Sequence, residues 1–179
     1  TCFEELGFSF AATATPGGSG ALYLAANNFL ERGQSVLLRD RHWGPYNGFL
    51  RNNGIDFVTW PLLPPNGHDI HPYFAEAEFE TKLEEICSVQ DKVMVWLNDP
   101  AHNPTGLSMG DEGRAACLSS FVTSAINNEE IGHTLLIDSA YSLYADEPHA
   151  WGETILEAVE SGMPWPENFL ICVAISLSK

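Results

Sequence analysis

The chain has 179 residues, 45% of them hydrophobic and 11% aromatic, which suits one folded domain and excludes a disordered chain. Its formal net charge of −16 argues against a nucleic-acid-binding surface, since such a surface concentrates Lys and Arg on one face. The apolar runs are too short to span a bilayer, and the four separated cysteines are typical of free thiols in a reducing compartment. We therefore expect a cytoplasmic protein.

Helical and strand patterns alternate along the chain. In order, they predict a helix from Ala21 to about Arg32, strand Ser35–Leu38, helix Trp43–Asn53, strand Ile55–Leu62, helix Glu76–Val89, strand Val93–Leu97, helix Ser108–Ile126, strand Thr134–Ile137, a helix within residues 147–168, and strand Phe169–Ile175. Gly33 and Gly54 are expected to end the first two helices. This alternation predicts an α/β fold, with a mainly parallel central sheet and helices on both faces.

Three unusual polar segments each begin where a predicted strand stops. They are residues 98–106, Asp138–Tyr141 and Ser176–Lys179. Ligands of open parallel sheets bind outside the carboxyl ends of the strands. The sequence therefore predicts one binding site at that edge of the sheet.

The Gly-rich segment Gly17–Gly20 precedes the first predicted helix and has the composition of an anion site. Small residues let backbone N–H groups approach a phosphate, and Ser19 adds a hydroxyl. The spacing matches neither the ATP-binding P-loop nor GxGxxG. For this segment alone, a flexible turn before a helix is an equally good interpretation.

Each of the other polar segments allows a purely structural interpretation and a chemical one. Two prolines and Gly106 stiffen the loop around Asn103, which either caps a turn or points its amide at a ligand. Asp138 at a strand end needs a donor or a cation, which a turn or a protonated ring nitrogen supplies. Lys179 is either a surface residue or an amine able to attack a carbonyl.

Taken together, four segments resemble the ordered motifs of class I/II aminotransferases, pyridoxal-phosphate (PLP) enzymes of the aspartate aminotransferase fold. The segments are Thr15-Pro-Gly-Gly-Ser-Gly-Ala-Leu22, His102-Asn-Pro-Thr-Gly106, Asp138-Ser-Ala-Tyr141 and Ser176-Leu-Ser-Lys179. The resemblance runs from about residue 10 to the final lysine. It implies that residues 1–179 form the large PLP-binding domain of that fold, in part.

The resemblance implies a role for each matching residue. Its cofactor-binding residues are Gly18, Ser19, Trp43, Asn103, Asp138, Tyr141, Ser176 and Lys179. Gly18, Ser19 and Ser176 would hold the phosphate, and Trp43 would stack on the pyridine ring. Asn103 and Tyr141 would bind the ring hydroxyl oxygen.

The resemblance also implies an activity. Asp138 would keep the pyridine nitrogen protonated, and Lys179 would carry the cofactor as a Schiff base and move the substrate proton. The implied reaction transfers an amino group from an amino acid to a 2-oxo acid, in a homodimer. The chain also lacks segments that the family carries before and after these motifs, so we expect a fragment of a longer polypeptide.

One position departs from the pattern. Some relatives carry histidine three residues after the stacking tryptophan, where this chain has Tyr46. This departure puts the support of Asp138 in question, though not its role.

Other functions fit the same motifs. A carbon–sulfur lyase, an aminocyclopropanecarboxylate synthase or a decarboxylase would keep nearly every residue named, and a PLP-sensing regulator domain would be non-catalytic. An α/β domain that binds another phosphate compound is a further alternative. It would require the match of Asn103, Asp138 and Lys179 to the family motifs to be a coincidence. His68 and His71 lie in a polar loop without a further evident ligand, so the expectation is that no metal binds.

Overall fold

The computed structural model describes residues 8–65 and 71–176. In these residues the strands are β1 (Ser35–Arg39), β2 (Asp56–Trp60), β3 (Lys92–Asn98), β4 (Gly132–Asp138) and β5 (Phe169–Ala174). The helices are α1 (Gly17–Phe29), α2 (Tyr46–Asn53), α3 (Glu76–Cys87), α4 (Gly110–Asn127) and α5 (Ala150–Glu160), with a 3-10 turn at Ser142–Tyr144. The order of strands and helices is the one that the sequence predicts.

The five strands form one sheet in the order β2-β1-β3-β4-β5, and all of them run parallel. The chain moves outward from β1 to β2 and then crosses back to place β3 on the other side of β1. The register pairs Asn98 at the end of β3 with Asp138 at the end of β4. Two of the predicted polar segments therefore start side by side.

Helices cover both faces of the sheet, as predicted for a parallel sheet buried on both sides. Helices α1 and α2 pack on one face, with Leu22 and Leu50 in the same apolar cluster as Trp96. Helices α3, α4 and α5 pack on the other face, around Phe79 and Phe121. No helix among the described residues is long and apolar enough to cross a membrane.

The predicted boundary of the first helix is wrong at both ends. The helix begins at Gly17, four residues before the expected start, and ends at Phe29. Leu30 then adopts an extended backbone and buries its side chain, so the helix stops before Gly33. Gly33 instead has a φ of 87° in the following turn, where its N–H binds the carbonyl of Gly54. Gly54 ends α2 in the left-handed conformation, as predicted.

Candidate active site

A cavity of about 350 Å³ lies at the carboxyl edge of the sheet. It is lined by residues of α1, of the segment before α2, and of the polar segments after β3, β4 and β5. They are Pro16, Gly17, Gly18, Ser19, Leu22, Trp43, Asn98, Asn103, Asp138, Ala140, Tyr141 and Ser176. Its volume is in the usual range of cofactor and small-molecule sites.

The amino terminus of α1 forms one wall of this cavity. The helix begins at Gly17, and Pro16 before it provides no side-chain cap. The N–H of Gly17 donates to the carbonyl of Thr15, whereas the N–H groups that follow in the first turn have no acceptor within the helix. Gly17, Gly18 and Ser19 of this turn line the cavity. A Cβ atom added to Gly18 would lie 3.3 Å from Cβ of Ser176, so α1 passes close to the segment that follows β5 at this position. The wall has the donors and the dipole that favour an anion.

Asn98 connects two of the polar segments that line the cavity. Its Nδ2 donates to the backbone carbonyl of Asp138 at 2.9 Å, and its Oδ1 accepts the backbone N–H of Asn103 at 2.6 Å. Asn98 is 4% exposed, and its hydrogen bond to Asp138 is buried while the one from Asn103 is partly buried. The loop after β3 is thereby fixed to the end of β4, and Nδ2 of Asn103 reaches the hydroxyl of Tyr141 at 3.2 Å.

The buried carboxylate of Asp99 holds the same loop from the interior of the protein. Asp99 has no exposed surface, and its Oδ1 accepts the backbone N–H of Met109 at 2.8 Å. Its Oδ2 accepts from Nε1 of Trp151 at 2.9 Å and lies 3.6 Å from Nη1 of the buried Arg114. The peptide bonds Asp99–Pro100 and Asn103–Pro104 are both cis. The hydrogen bonds of Asp99 therefore hold the first part of the loop in place, where Asp99, Pro100 and His102 are buried, whereas residues 104–106 are exposed.

His102 lies in this loop as a neutral side chain. It is 2% exposed, and its Nδ1 contacts Oγ1 of Thr105 at 2.8 Å. Burial, and secondarily the charge of Arg39, lower the pKa of His102 to about 4. The imidazole therefore stays uncharged at neutral pH and serves the loop as a packed polar group.

The Asp138 carboxylate is 5% exposed and is held at both oxygens. Oδ1 accepts the backbone N–H of Ala140 at 3.2 Å, and Oδ2 accepts the hydroxyl of Tyr46 at 2.6 Å. Trp43 stands nearby on the cavity wall, half-buried, with its ring edge-on to Tyr46 at 5.7 Å. The cavity thus combines a carboxylate with an aromatic wall and a group of neutral donors.

The fold brings seven of the eight predicted cofactor-binding residues to this one cavity. They are Gly18, Ser19, Trp43, Asn103, Asp138, Tyr141 and Ser176. The eighth, Lys179, lies outside the described residues, and so does His68 of the loop considered for a metal. The described parts of the chain contain no group of three or more His, Cys, Asp or Glu side chains arranged to hold a metal ion.

Sequence reasoning missed Asn98 and undervalued Tyr46. Asn98 ends a buried parallel strand, as Asp138 does, so the same rule about strand ends applies to it. No local pattern pairs Tyr46 with Asp138, because the two residues lie 92 positions apart.

A family model described as aminotransferase class I and II matches residues 7–179, and the chain belongs to this family. It is 25% identical over 158 residues to a mitochondrial aspartate aminotransferase of Dictyostelium discoideum, an alignment covering 87% of this chain and 33% of that protein. A mitochondrial aspartate aminotransferase of Gallus gallus is 27% identical over 99 residues, covering 53% of this chain and 22% of the relative. The chain thus spans a third or less of these curated relatives.

Solved structures show the same fold. An aminotransferase from Anaerococcus prevotii superposes with a TM-score of 0.79 at 26% identity, covering 92% of this chain and 38% of that one. An aromatic amino acid aminotransferase from Burkholderia cenocepacia gives a TM-score of 0.60 at 26% identity, covering 92% of this chain and 37% of that one. The predicted fold, including its assignment to the aspartate aminotransferase type, is confirmed.

Proposed function

We propose that the protein to which these residues belong is a PLP-dependent aminotransferase, and that residues 1–179 form part of its large, cofactor-binding domain. The observation that carries this proposal is the composition of the cavity wall. The carboxylate of Asp138, the amide of Asn103 and the hydroxyl of Tyr141 share one cavity with the amino terminus of α1. Family membership adds the type of reaction.

The residues present fit PLP group by group. The uncapped first turn of α1, Ser19 and Ser176 offer neutral donors for a phosphate. Glycine at position 18 fits a phosphate site here, because any larger side chain would push against Ser176. When bound, PLP supplies a conjugated ring that accepts the electron pair released at the substrate Cα.

The remaining proposed roles concern the pyridine ring of PLP and the proton at the substrate Cα. Asp138 would hold a proton on the ring nitrogen, while Asn103 and Tyr141 would donate to the ring oxygen. Trp43 would cover one face of the ring and exclude water. Lys179 would be the covalent anchor of the cofactor, and its Nζ would move the proton at the substrate Cα.

The substrates, assembly and compartment are proposed on family grounds. We infer an amino acid and a 2-oxo acid as substrates, and a homodimer as the intact enzyme. Cytoplasmic localisation stays a prediction, since both curated relatives are named as mitochondrial. Cell fractionation with an antibody to the protein tests it.

The function is tested with the full-length protein incubated with PLP, reduced with borohydride and mapped by peptide mass. The expected result is one reduced adduct, on Lys179, and its loss in Lys179→Ala. Turnover is then measured with aspartate, aromatic and branched-chain amino acids and 2-oxoglutarate. Equal amounts of new 2-oxo acid and glutamate support the proposal. Cystathionine, which carries a thiolate leaving group on Cβ, is tested separately, and its cleavage to homocysteine, pyruvate and ammonia contradicts the proposal and indicates a lyase.

A further inference from the structure

Tyr46 is the first residue of α2 and is 1% exposed, yet its hydroxyl reaches the end of β4. There it donates a 2.6 Å hydrogen bond to Oδ2 of Asp138. This is a short contact for an O–H donor, in the range typical of bonds to an ionised acceptor. The bond joins two residues whose elements meet only through the tertiary fold.

Aromatic neighbours fix the direction of the Tyr46 ring. Trp96 of β3 lies 4.3 Å from it, centroid to centroid, at a tilt of 38°. Trp43 packs edge-on at 5.7 Å, and the His42 ring lies parallel at 6.2 Å. The hydroxyl therefore has little freedom to leave the carboxylate.

The hydroxyl of Tyr46 is a permanent donor. Burial, and then the charge and hydrogen bond of Asp138, raise the pKa of Tyr46 well above its ordinary value. The phenol consequently keeps its proton at every pH near neutrality. A neutral donor on a carboxylate oxygen stabilises the ionised carboxylate against its protonated form.

We propose that Tyr46 is a positioning residue that acts through Asp138. It holds the carboxylate in its orientation and keeps it ionised, so that the proton shared with a bound pyridine ring resides on the ring nitrogen. This inference rests on the proposed function. It assigns to Tyr46 the support of Asp138 that the sequence left in question.

The test compares the full-length wild type with Tyr46→Phe, which removes only the hydroxyl. Dissociation constants are measured for PLP and for 1-deaza-PLP, in which a carbon replaces the ring nitrogen. The loss of one charge-assisted bond predicts an affinity for PLP about 10-fold weaker in the variant. The affinity for the deaza analogue should be unchanged within about twofold, because that ring makes no bond to Asp138.

Nitrogen-15 NMR of ring-labelled PLP gives a direct second readout. The ring nitrogen should be protonated at pH 7.5 in the wild type and less protonated in Tyr46→Phe. The control Tyr73→Phe removes a hydroxyl from a side chain that is 41% exposed and is not among the residues that line the cavity. It should leave both affinities and the nitrogen shift unchanged.

Tyr46→His separates the hydrogen bond from packing. Histidine keeps a donor but fills less space, so the proposal ranks PLP affinity as wild type, then Tyr46→His, then Tyr46→Phe. If Tyr46 only fills space, the order of the last two variants is reversed.

Equal loss of affinity for PLP and 1-deaza-PLP in Tyr46→Phe overturns the proposal. A wild type that binds 1-deaza-PLP but shows an unprotonated ring nitrogen with PLP also overturns it, while leaving the cofactor assignment intact. A wild type that forms no Lys179 adduct overturns the proposed function as well.

Discussion

The side-chain amide of Asn98 donates a 2.9 Å hydrogen bond to the backbone carbonyl of Asp138, and the two residues are register partners at the ends of adjacent strands. The same side chain accepts the N–H of Asn103. The buried amide of Asn98 therefore sets the distance between Asp138 and Asn103. These are the residues proposed to face the ring nitrogen and the ring oxygen of PLP. The relationship places Asn98 among the residues that shape the site.

Replacing Asn98 by alanine should weaken PLP binding by about 10-fold or more, because one buried and one partly buried hydrogen bond are lost, which leaves their backbone partners without the side chain that binds them. Fluorescence titration of the full-length apoprotein with PLP measures this. Asn168→Ala is the matched control, since Asn168 also binds backbone carbonyls but lies just before β5, at the amino-terminal edge of the sheet. The control should lower stability and leave the PLP affinity intact; equal effects of the two variants would count against a site-specific role of Asn98.

Asp99 should be a major contributor to stability. Asp99→Asn removes the negative charge beside the buried Arg114 and leaves one acceptor oxygen for two donors, the N–H of Met109 and Nε1 of Trp151. We expect a loss of about 3 kcal/mol in the free energy of unfolding, measured by urea denaturation. Asp111→Asn also removes a carboxylate that pairs with Arg114, but its side chain is 76% exposed, and the loss should stay below about 1 kcal/mol. Similar losses in both variants would contradict the special position of Asp99.

His102 should make the protein less stable in mild acid. Its pKa is about 4 in the fold, below the ordinary value of 6.5, so the unfolded chain binds more protons between these two pH values. Stability is complete above pH 6.5 and falls as the pH drops toward 4, by roughly 2 kcal/mol at pH 5 for this group.

The measurement is the slope of unfolding free energy against pH, from pH 7 to pH 5, in wild type and His102→Asn. The slope should be shallower in the variant because asparagine does not titrate. His149→Asn, at an exposed histidine just before α5, is the matched variant for comparison. An unchanged slope in His102→Asn would show that other groups cause the acid sensitivity.

Gly18 should be specifically required for cofactor binding. In Gly18→Ala the new methyl group lies 3.3 Å from Cβ of Ser176, so Ser176 and the start of α1 must move apart by a few tenths of an ångström. We expect an affinity for PLP about 10-fold weaker, equivalent to one lost hydrogen bond to the phosphate. Isothermal titration calorimetry of the apoprotein provides the value.

The control for that prediction is Gly48→Ala. Gly48 lies inside α2, and a Cβ there would meet nothing within 4 Å. This change should leave PLP affinity unaltered and stabilise the fold by about 0.5–1 kcal/mol, since alanine is the better helix former. A matching loss of affinity in both variants would refute a steric role for Gly18.

The sequence alone determined the order of helices and strands and the parallel sheet, because apolar periodicity and turn residues act locally. It also located most of the site, since polar segments that follow buried parallel strands must gather at one edge. Asp138 and Asn103 were found in this way. The motif order identified the family for the same reason: these segments stand at fixed places along the chain.

Tertiary structure decided which of these groups touch. The start of α1 at Gly17 could not be predicted from apolar spacing, because that turn is glycine and serine and faces the cavity. The hydrogen bond from Tyr46 to Asp138 depends on the position of β3 between β1 and β4. In that position Trp96 of β3 packs against the Tyr46 ring. Sequence periodicity specifies which face of an element is buried, whereas a hydrogen bond across 92 residues requires the positions of three elements to be fixed together.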